Sequence, residues 1–312
     1  MVYAFIANRV SNKMAHIYDR PGTKKKIARE LGMVGATLDD IEKCVIDLKK
    51  SLSENEHTFF EKLPGRIAEE KKRFSSHEDK KKEILSDKDT QGRERGFITR
   101  HIIRPISLYM IGRKIKSQAA VIEALEKRPK DVFSEEQREL IGRIEEIDTK
   151  KHTKDYAGAI GEKIVLKELQ KLSDDFHVLC DITLEHPDYI SYGGGARNLK
   201  SAQIDFVVVG KTGVFVIEVK NWTSKSVENS LEGFTPHEQV DRAGLLMYIR
   251  LKNIVRDGVD VKKLLVPLKD NIPYLPEYKH VLVVRPSNLN NFIMTQKESL
   301  SYETVNKIVK RI

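Results

Sequence analysis

The chain has 312 residues, of which 55 are Lys or Arg and 46 are Asp or Glu, so its formal net charge is +9. This length suits one large or two ordinary domains, and the charge is compatible with a polyanionic partner or with solvated helices. The two cysteines, Cys44 and Cys180, lie far apart, and no Cys/His cluster has zinc spacing, which argues against a disulfide framework or a zinc site. Neither a signal peptide nor an apolar run of membrane length is present, so we expect a cytoplasmic protein with no membrane partner.

Residues 1–152 have a helical pattern. Thr37 is a plausible N-cap for an amphipathic run that Pro64 is expected to interrupt. Further helical runs are expected to break near Pro105, to end at Pro129 and to resume after a capping box at Ser134. We therefore expect an all-α region, either a helical bundle or an antiparallel coiled hairpin, that acts as an arm for nucleic-acid binding or homo-oligomerisation.

The helical half also carries a basic segment with one acid, Glu94, within it. Its basic residues are Arg93, Arg95, Arg100, Arg104, Arg113, Lys114 and Lys116. Such a set is a candidate phosphate-backbone contact, and an exposed basic helix face is the equal alternative. Arg197 follows three glycines in a predicted loop, where it would contact a nucleic-acid backbone or belong to an ordinary hairpin loop.

Residues 153–312 alternate between helix and strand, which predicts a mixed α/β sheet flanked by helices. One predicted helix has Thr235 as its N-cap, Pro236 at its first position and Glu238 completing a capping box. The predicted segments are helices at 157–172, 236–254 and 302–312, and strands at 177–182 and 280–284, with a β-hairpin between the first strand and the second helix.

That hairpin, formed by 204–209 and 214–219, is the most informative part of the sequence. If Lys211 and Thr212 form its turn, Gly210 faces Gly213 and Asp205 lies opposite Glu218. Lys220 follows Glu218 by two positions and therefore shares its face. A slip of one residue would move Asp205 to the other face, so the geometry depends on the turn.

The rest of the hairpin is apolar. Ile204, Phe206 and Val208 are expected on one face and four valines on the other, which indicates a sheet covered on both sides. Two carboxylates opposed on a buried face repel each other unless a cation lies between them, and Mg²⁺ favours such oxygen ligands. The alternative is a pair of acids at the strand ends, near water, with a surface salt bridge to Lys220.

Two further polar residues join the hairpin. Glu162 lies on the apolar stripe of its predicted helix, where Gly158 and Gly161 would permit close approach to a strand or ligand. Gln239 lies in the first turn of the next helix, where it could reach a phosphate or water. Taken alone, Glu162 is an ordinary first-turn acid and Gln239 an ordinary surface amide.

Four short motifs in this order resemble the nuclease-related domain family, NERD, of the restriction-endonuclease-like PD-(D/E)xK class. The motifs are Gly161-Glu162, Gln203-Ile-Asp205, Gly213-Val-Phe-Val-Ile-Glu-Val-Lys-Asn-Trp222 and Pro236-His-Glu-Gln239. The resemblance covers about residues 155–290, and Ile204 departs from the class name, which has proline before the aspartate. No family resemblance is apparent in the N-terminal half.

The resemblance implies a Mg²⁺- or Mn²⁺-dependent phosphodiesterase, most simply a deoxyribonuclease, with DNA favoured over RNA. Asp205, Glu218, the carbonyl group of Val219 and Glu162 would bind the metal. Lys220 would orient the attacking water and stabilise the phosphate charge, and Gln239 would position water or substrate. The alternative is a nucleic-acid-binding or assembly module on a nuclease-like fold that does not cleave.

Overall fold

The structure is a computed structural model that describes residues 14–19, 21–86, 96, 99–193, 197–222, 235–255, 258–269, 272 and 275–312. The chain forms two compact units. Unit 1 combines the residues up to Ile41 with Thr149–Ile312, and unit 2 consists of Glu42–Asp148. No helix within the described ranges is long and apolar enough to cross a membrane.

Unit 2 is helical, as expected. Its elements are the greater part of α2 (Leu38–Leu85), a π-helical turn (Thr99–Ile103), α3 (Arg104–Lys127), α4 (Pro129–Glu136) and most of α5 (Arg138–Lys151). The last three pack along α2, with ion pairs at 2.7 Å from Lys49 to Asp148 and at 2.6 Å from Lys71 to Glu126. The rings of Phe59 in α2 and Phe133 in α4 are also in contact, which adds apolar packing between these two helices.

Two predictions about helix boundaries in unit 2 were wrong. Pro64 lies inside the 48-residue helix α2 and does not interrupt it, because the other residues of this long helix supply enough hydrogen bonds to continue past one missing donor. Ser134 lies within α4, so it does not cap the next helix. Pro129 begins α4, a position where the absent N–H is not needed.

Unit 1 contains a six-stranded mixed sheet in the order β1-β2-β3-β4-β5-β6. The strands are β1 (His16–Tyr18), β2 (His177–Tyr192), β3 (Arg197–Gly210), β4 (Gly213–Lys220), β5 (Val261–Pro267) and β6 (Val281–Val283). Neighbours β2, β3 and β4 are antiparallel, whereas β1 is parallel to β2, and β4, β5 and β6 are mutually parallel. The predicted mixed sheet is confirmed, and the sequence analysis missed β1 and β5.

Helices cover both faces of the sheet, so each face has its own buried core. α6 (Lys154–Leu169) and α8 (Pro286–Met294) cover the face that contains Phe206 and Val208. α7 (Pro236–Lys252) and α9 (Tyr302–Val309) cover the opposite face. The Thr235 hydroxyl accepts a hydrogen bond of 3.1 Å from the Glu238 N–H, which confirms the predicted start of α7.

One residue of the hairpin faces the other way from the prediction. Ile204 packs with the α7 core, whereas Phe206 packs with the α6 core. The β2–β3 ladder pairs Cys180 with Phe206 and Ile182 with Ile204 but has no pair at Asp181 and Asp205 between them. Asp181 adopts a left-handed φ of 55°, and simple alternation fails at this point. This irregularity lies at the carboxylates rather than within the apolar part of the strands.

The N-terminal residues do not follow the predicted domain boundary at residue 152. β1 pairs with β2, and α1 (Gly22–Glu30) packs on α6, so both elements belong to unit 1. Ile27 and Ala28 are buried there, and the Lys26 ammonium lies 2.6 Å from the Asp155 carboxylate. Polar residues surround these short elements in the sequence, which hides their periodicity.

α6 approaches the sheet closely at Gly161. A Cβ atom at this position would lie 2.9 Å from Leu268 Cδ1 and 3.2 Å from Asn221 Cβ, in contact with the end of β4. The Asn221 amide also donates a 2.6 Å hydrogen bond to the Ala157 carbonyl group. The absence of a side chain therefore brings the next residue, Glu162, close to the strand ends, as the sequence predicted.

We expect Gly161→Val to destabilise unit 1 by about 1–3 kcal/mol, because overpacking a close contact forces backbone or side-chain shifts. Gly142→Val in α5 is the matched control, since no atom lies within 4 Å of its added Cβ. Urea unfolding followed by circular dichroism measures both. A Gly161 variant as stable as the wild type would contradict the close approach.

Candidate active site

The hairpin register places Asp205 where β3 and β4 separate. Gly210 pairs with Gly213, as predicted, and the ladder continues to the pair Phe206 and Ile217. Asp205 and Glu218 are the next residues of their strands. The Asp205 Oδ2 atom accepts a 2.8 Å hydrogen bond from the Val219 N–H, so the carboxylate satisfies a backbone donor at the point where the ladder ends.

Glu218, Lys220 and Gln239 form one connected group. The Lys220 ammonium lies 2.5 Å from Glu218 Oε1 and donates to Gln239 Oε1 at 2.9 Å. Glu218 is only 3% exposed, so its charge is compensated inside the protein rather than by water. Trp222 places its ring centre 5.2 Å from the same ammonium, a favourable cation–π distance. The surface salt bridge considered from the sequence does not describe this buried group.

Glu162 enters the site from α6. Its side chain is 5% exposed, and its Oε1 atom accepts a hydrogen bond from the Thr23 hydroxyl. The other oxygen, Oε2, is buried without a hydrogen-bond partner among the residues that the structure describes. A buried carboxylate oxygen without a partner carries a large desolvation penalty, so this atom is the natural point for a proton or cation.

The carboxylates influence one another electrostatically. Burial, followed by the charge of Asp205, raises the pKa of both Glu162 and Glu218 to about 8. Burial also raises the pKa of Asp205, against the opposing effects of the Val219 hydrogen bond and Lys220. The three acids therefore favour a proton or another positive charge over full ionisation.

Sequence reasoning missed a fourth acid, Asp181 in β2. Its Oδ1 atom accepts a 2.6 Å hydrogen bond from the Gln203 side chain, and its Oδ2 atom lies 3.1 Å from the Lys25 ammonium. Its negative charge raises the pKa of Asp205 and Glu162. An acid between Cys180 and Ile182 in an apolar strand was a usable signal, whereas nothing in the sequence pattern marked Thr23 or Lys25.

The basic residues predicted to contact nucleic acid differ from one another in exposure and in their contacts. Arg113, Lys114 and Lys116 are exposed on α3, and the Arg104 guanidinium donates to the Leu85 carbonyl group. Arg100 is half-buried in the π-helical turn. Arg93 and Arg95 lie outside the described residues, as does the side chain of Arg197, whose backbone begins β3.

Metal coordination stays a prediction. Across the described ranges, no group of three or more His, Cys, Asp or Glu side chains stands in an arrangement that could hold a metal ion. The Lys220 ammonium already contacts Glu218 in this arrangement.

Residues 157–266 match the family model of the nuclease-related domain. This segment begins in α6 and ends in β5, and it contains Glu162, Asp205, Glu218, Lys220 and Gln239. The resemblance to the nuclease-related domain family is confirmed for this part of the chain.

An uncharacterised protein of Bacillus anthracis is 39% identical over 74 residues. The match covers 23% of this chain and 30% of the relative, so the chain spans less than a third of that protein. No solved structure shows a significant match.

Without divalent metal, we expect the free energy of unfolding to fall by about 2–4 kcal/mol between pH 5 and pH 8, since each pKa unit corresponds to about 1.4 kcal/mol. The pKa values of Glu162 and Glu218 are raised in the folded state, so the native protein binds more protons than the unfolded chain in this window. The stability is complete below the unfolded pKa and is lost as pH rises towards 8.

Urea titrations in EDTA at several pH values test this expectation. Glu218→Gln should flatten the pH dependence, because it removes one of the two titrating groups. Glu298→Gln, at an exposed residue in the loop between α8 and α9, is the control and should retain the wild-type slope. Equal slopes for all three proteins would contradict the assignment.

Proposed function

We propose that unit 1 is a metal-dependent nuclease that hydrolyses phosphodiester bonds, with DNA as its substrate. The observation that carries the proposal is the group formed by the buried Glu162 and Glu218 and the half-buried Asp205 beside the Lys220 ammonium. Burial raises the pKa of all three acids, and the Asp205 charge further raises the pKa of Glu162 and Glu218. A group of acids of like charge away from water is expected at a catalytic site, and it is unfavourable as a purely structural feature. The nuclease-related domain supports the same chemistry.

The donor atoms present have the chemistry that Mg²⁺ or Mn²⁺ prefers, although their side chains do not form a preformed metal-holding group among the described residues. The donors are carboxylate oxygens, which hard divalent cations prefer, and Glu162 Oε2 is a buried acceptor without a described partner. We propose Asp205, Glu218, Glu162 and the Val219 carbonyl group as the ligands. A bound divalent cation polarises a phosphoryl oxygen and acidifies its coordinated water.

Lys220 is proposed to supply positive charge to the reacting phosphate and to orient the attacking water. Its contacts with Glu218 Oε1 and Gln239 Oε1 hold the ammonium in place, so little reorganisation is needed when substrate binds. Gln239 lies in the first turn of α7, and its amide can donate to water or a phosphate oxygen while its carbonyl oxygen accepts from Lys220.

Substrate binding beyond the site is proposed for the exposed basic residues of α3 in unit 2, namely Arg113, Lys114 and Lys116. The net charge of +9 favours a polyanion. Homo-oligomerisation through the helical region is a separate proposal, for which light scattering is the test.

A second candidate function is a nucleic-acid-binding or assembly module that does not cleave. The contact of Lys220 with Glu218 favours this second function, because the lysine then neutralises the Glu218 charge in the place where a metal ion would otherwise do so. The lack of a preformed metal-holding group among the described side chains points the same way. Metal-dependent cleavage separates the two candidates.

We expect purified protein to cleave plasmid DNA with Mg²⁺ or Mn²⁺ and to be inactive in EDTA. Lys220→Met should lower the rate by about 100-fold or more, because it removes a positive charge from the developing phosphate charge. Lys263→Met is a matched control: Lys263 also lies on a strand of the sheet and forms a partly buried ion pair, at 2.6 Å to Asp241.

The control should lose stability without losing cleavage. Circular dichroism confirms that each variant is folded before its rate is compared. Full activity of Lys220→Met would contradict the proposed role of Lys220. Metal-independent binding of DNA or RNA without cleavage would support the second candidate function.

We expect the triple replacement of Arg113, Lys114 and Lys116 by alanine to weaken DNA binding at all sequences. The slope of log affinity against log salt should fall by about 0.9 for each lost phosphate contact on duplex DNA. Replacing Lys43, Lys62 and Lys72, exposed on α2, by alanine removes the same charge and is the control. Equal slopes in a fluorescence-anisotropy titration would exclude a localised contact.

A further inference from the structure

The first turn of α1 contacts the carboxylate of Glu162 directly. The Thr23 hydroxyl donates to Glu162 Oε1, and hydrogen bonding by Thr23 lowers the pKa of this carboxyl against the larger effect of burial. The contact joins residues 139 positions apart in the chain. Thr23 lies well before residue 157, where the nuclease-related match begins.

The surrounding contacts fix α1 in this position. A side chain at Gly22 would collide with the Asp181 carboxylate, so the backbone of α1 comes very close to β2. The Lys25 ammonium lies 3.1 Å from Asp181 Oδ2 and 2.6 Å from Asp19. A Cβ atom added to Gly158 in α6 would lie 3.5 Å from the Thr23 methyl group, so α6 passes close to this side chain.

These contacts leave the two oxygens of Glu162 in different states. Oε1 is held by Thr23, whereas Oε2 is buried without a partner among the described residues. A carboxylate held by one oxygen presents the other in a fixed direction. Partners of this kind, which orient a ligand without touching the metal, commonly change metal affinity when they are removed.

We propose that Thr23 is a positioning residue that fixes the Glu162 carboxylate for a divalent cation. This inference rests on the proposed nuclease function and adds to the site a residue from outside the matched domain. The competing structural role is that Glu162 only caps the N-terminus of α1, whose own N-cap residue, Pro21, provides no side-chain hydrogen bond.

The test is Mn²⁺ binding to the full chain by calorimetry, with wild type, Thr23→Val, Thr23→Ser and Lys26→Ala. Valine retains the branched shape without the hydroxyl group, and we expect it to weaken Mn²⁺ binding by about 10–100-fold. Serine retains the hydroxyl group and should restore most of the affinity. Lys26→Ala breaks another contact of α1 with α6, the exposed pair with Asp155, and should bind Mn²⁺ as the wild type does.

Thermal unfolding with and without Mn²⁺ separates positioning from capping. A capping role alone would lower the melting temperature of Thr23→Val in EDTA and leave its Mn²⁺ affinity unchanged, which would overturn the proposal. Serine behaving like valine would also overturn it. If Thr23→Val does not fold, Thr23→Ala removes the hydroxyl group without adding volume and carries the same comparison.

Cleavage assays distinguish failure of this inference from failure of the proposed function. If the wild type cleaves with metal and Thr23→Val needs no more Mn²⁺ than the wild type for half-maximal rate, only the proposed role of Thr23 is wrong. If the wild type neither binds Mn²⁺ nor cleaves with it, both the proposed nuclease function and the role of Thr23 are wrong. A higher Mn²⁺ requirement in Thr23→Val, with a rate near normal at saturating Mn²⁺, supports positioning.

Discussion

Unit 1 is organised around the repulsion between acids that its fold buries together. Burial and the neighbouring Asp205 charge raise the pKa of Glu162 and Glu218, and each acid is partly stabilised by a different donor. Asp205 accepts from the Val219 N–H, Glu218 contacts Lys220, and Glu162 accepts from Thr23. The free energy needed to hold these charges must come from the apolar cores on the two faces of the sheet.

The parts of the site that the sequence predicted depend on local rules. A two-residue turn between Gly210 and Gly213 fixes the hairpin register, and that register brings Asp205 and Glu218 to the same end of adjacent strands. Helical spacing placed Glu162 on the apolar stripe of α6, and the capping box at Thr235 placed Gln239 in the first turn of α7. Each inference needed only a short segment of chain.

The parts that it missed depend on distant contacts or on local departures from regular geometry. Thr23 reaches Glu162 only because β1 and α1 pack with elements more than 130 positions later, as the 139-residue separation of that contact shows. Ile204 was assigned to the wrong face because alternation fails beside Asp205, where β3 has no ladder pair with Asp181 and Asp181 has a left-handed φ. Pro64 was expected to interrupt its helix, but a 48-residue helix continues past one missing backbone N–H donor. Periodicity carries none of this information.

The discontinuity of unit 1 has a consequence for how the protein is made. Residues 14–41 leave the ribosome before Glu42–Asp148, and their partners in α6 and β2 follow only after the whole of Glu42–Asp148 has been synthesised. The helical unit has mostly local pairings and can fold during this interval, while β1 remains an unpaired edge strand. Any fragment that starts after residue 152 would lack both β1 and the first-turn threonine beside Glu162. Such a fragment would retain the motifs of the matched domain while leaving the β2 edge exposed, a known route to aggregation.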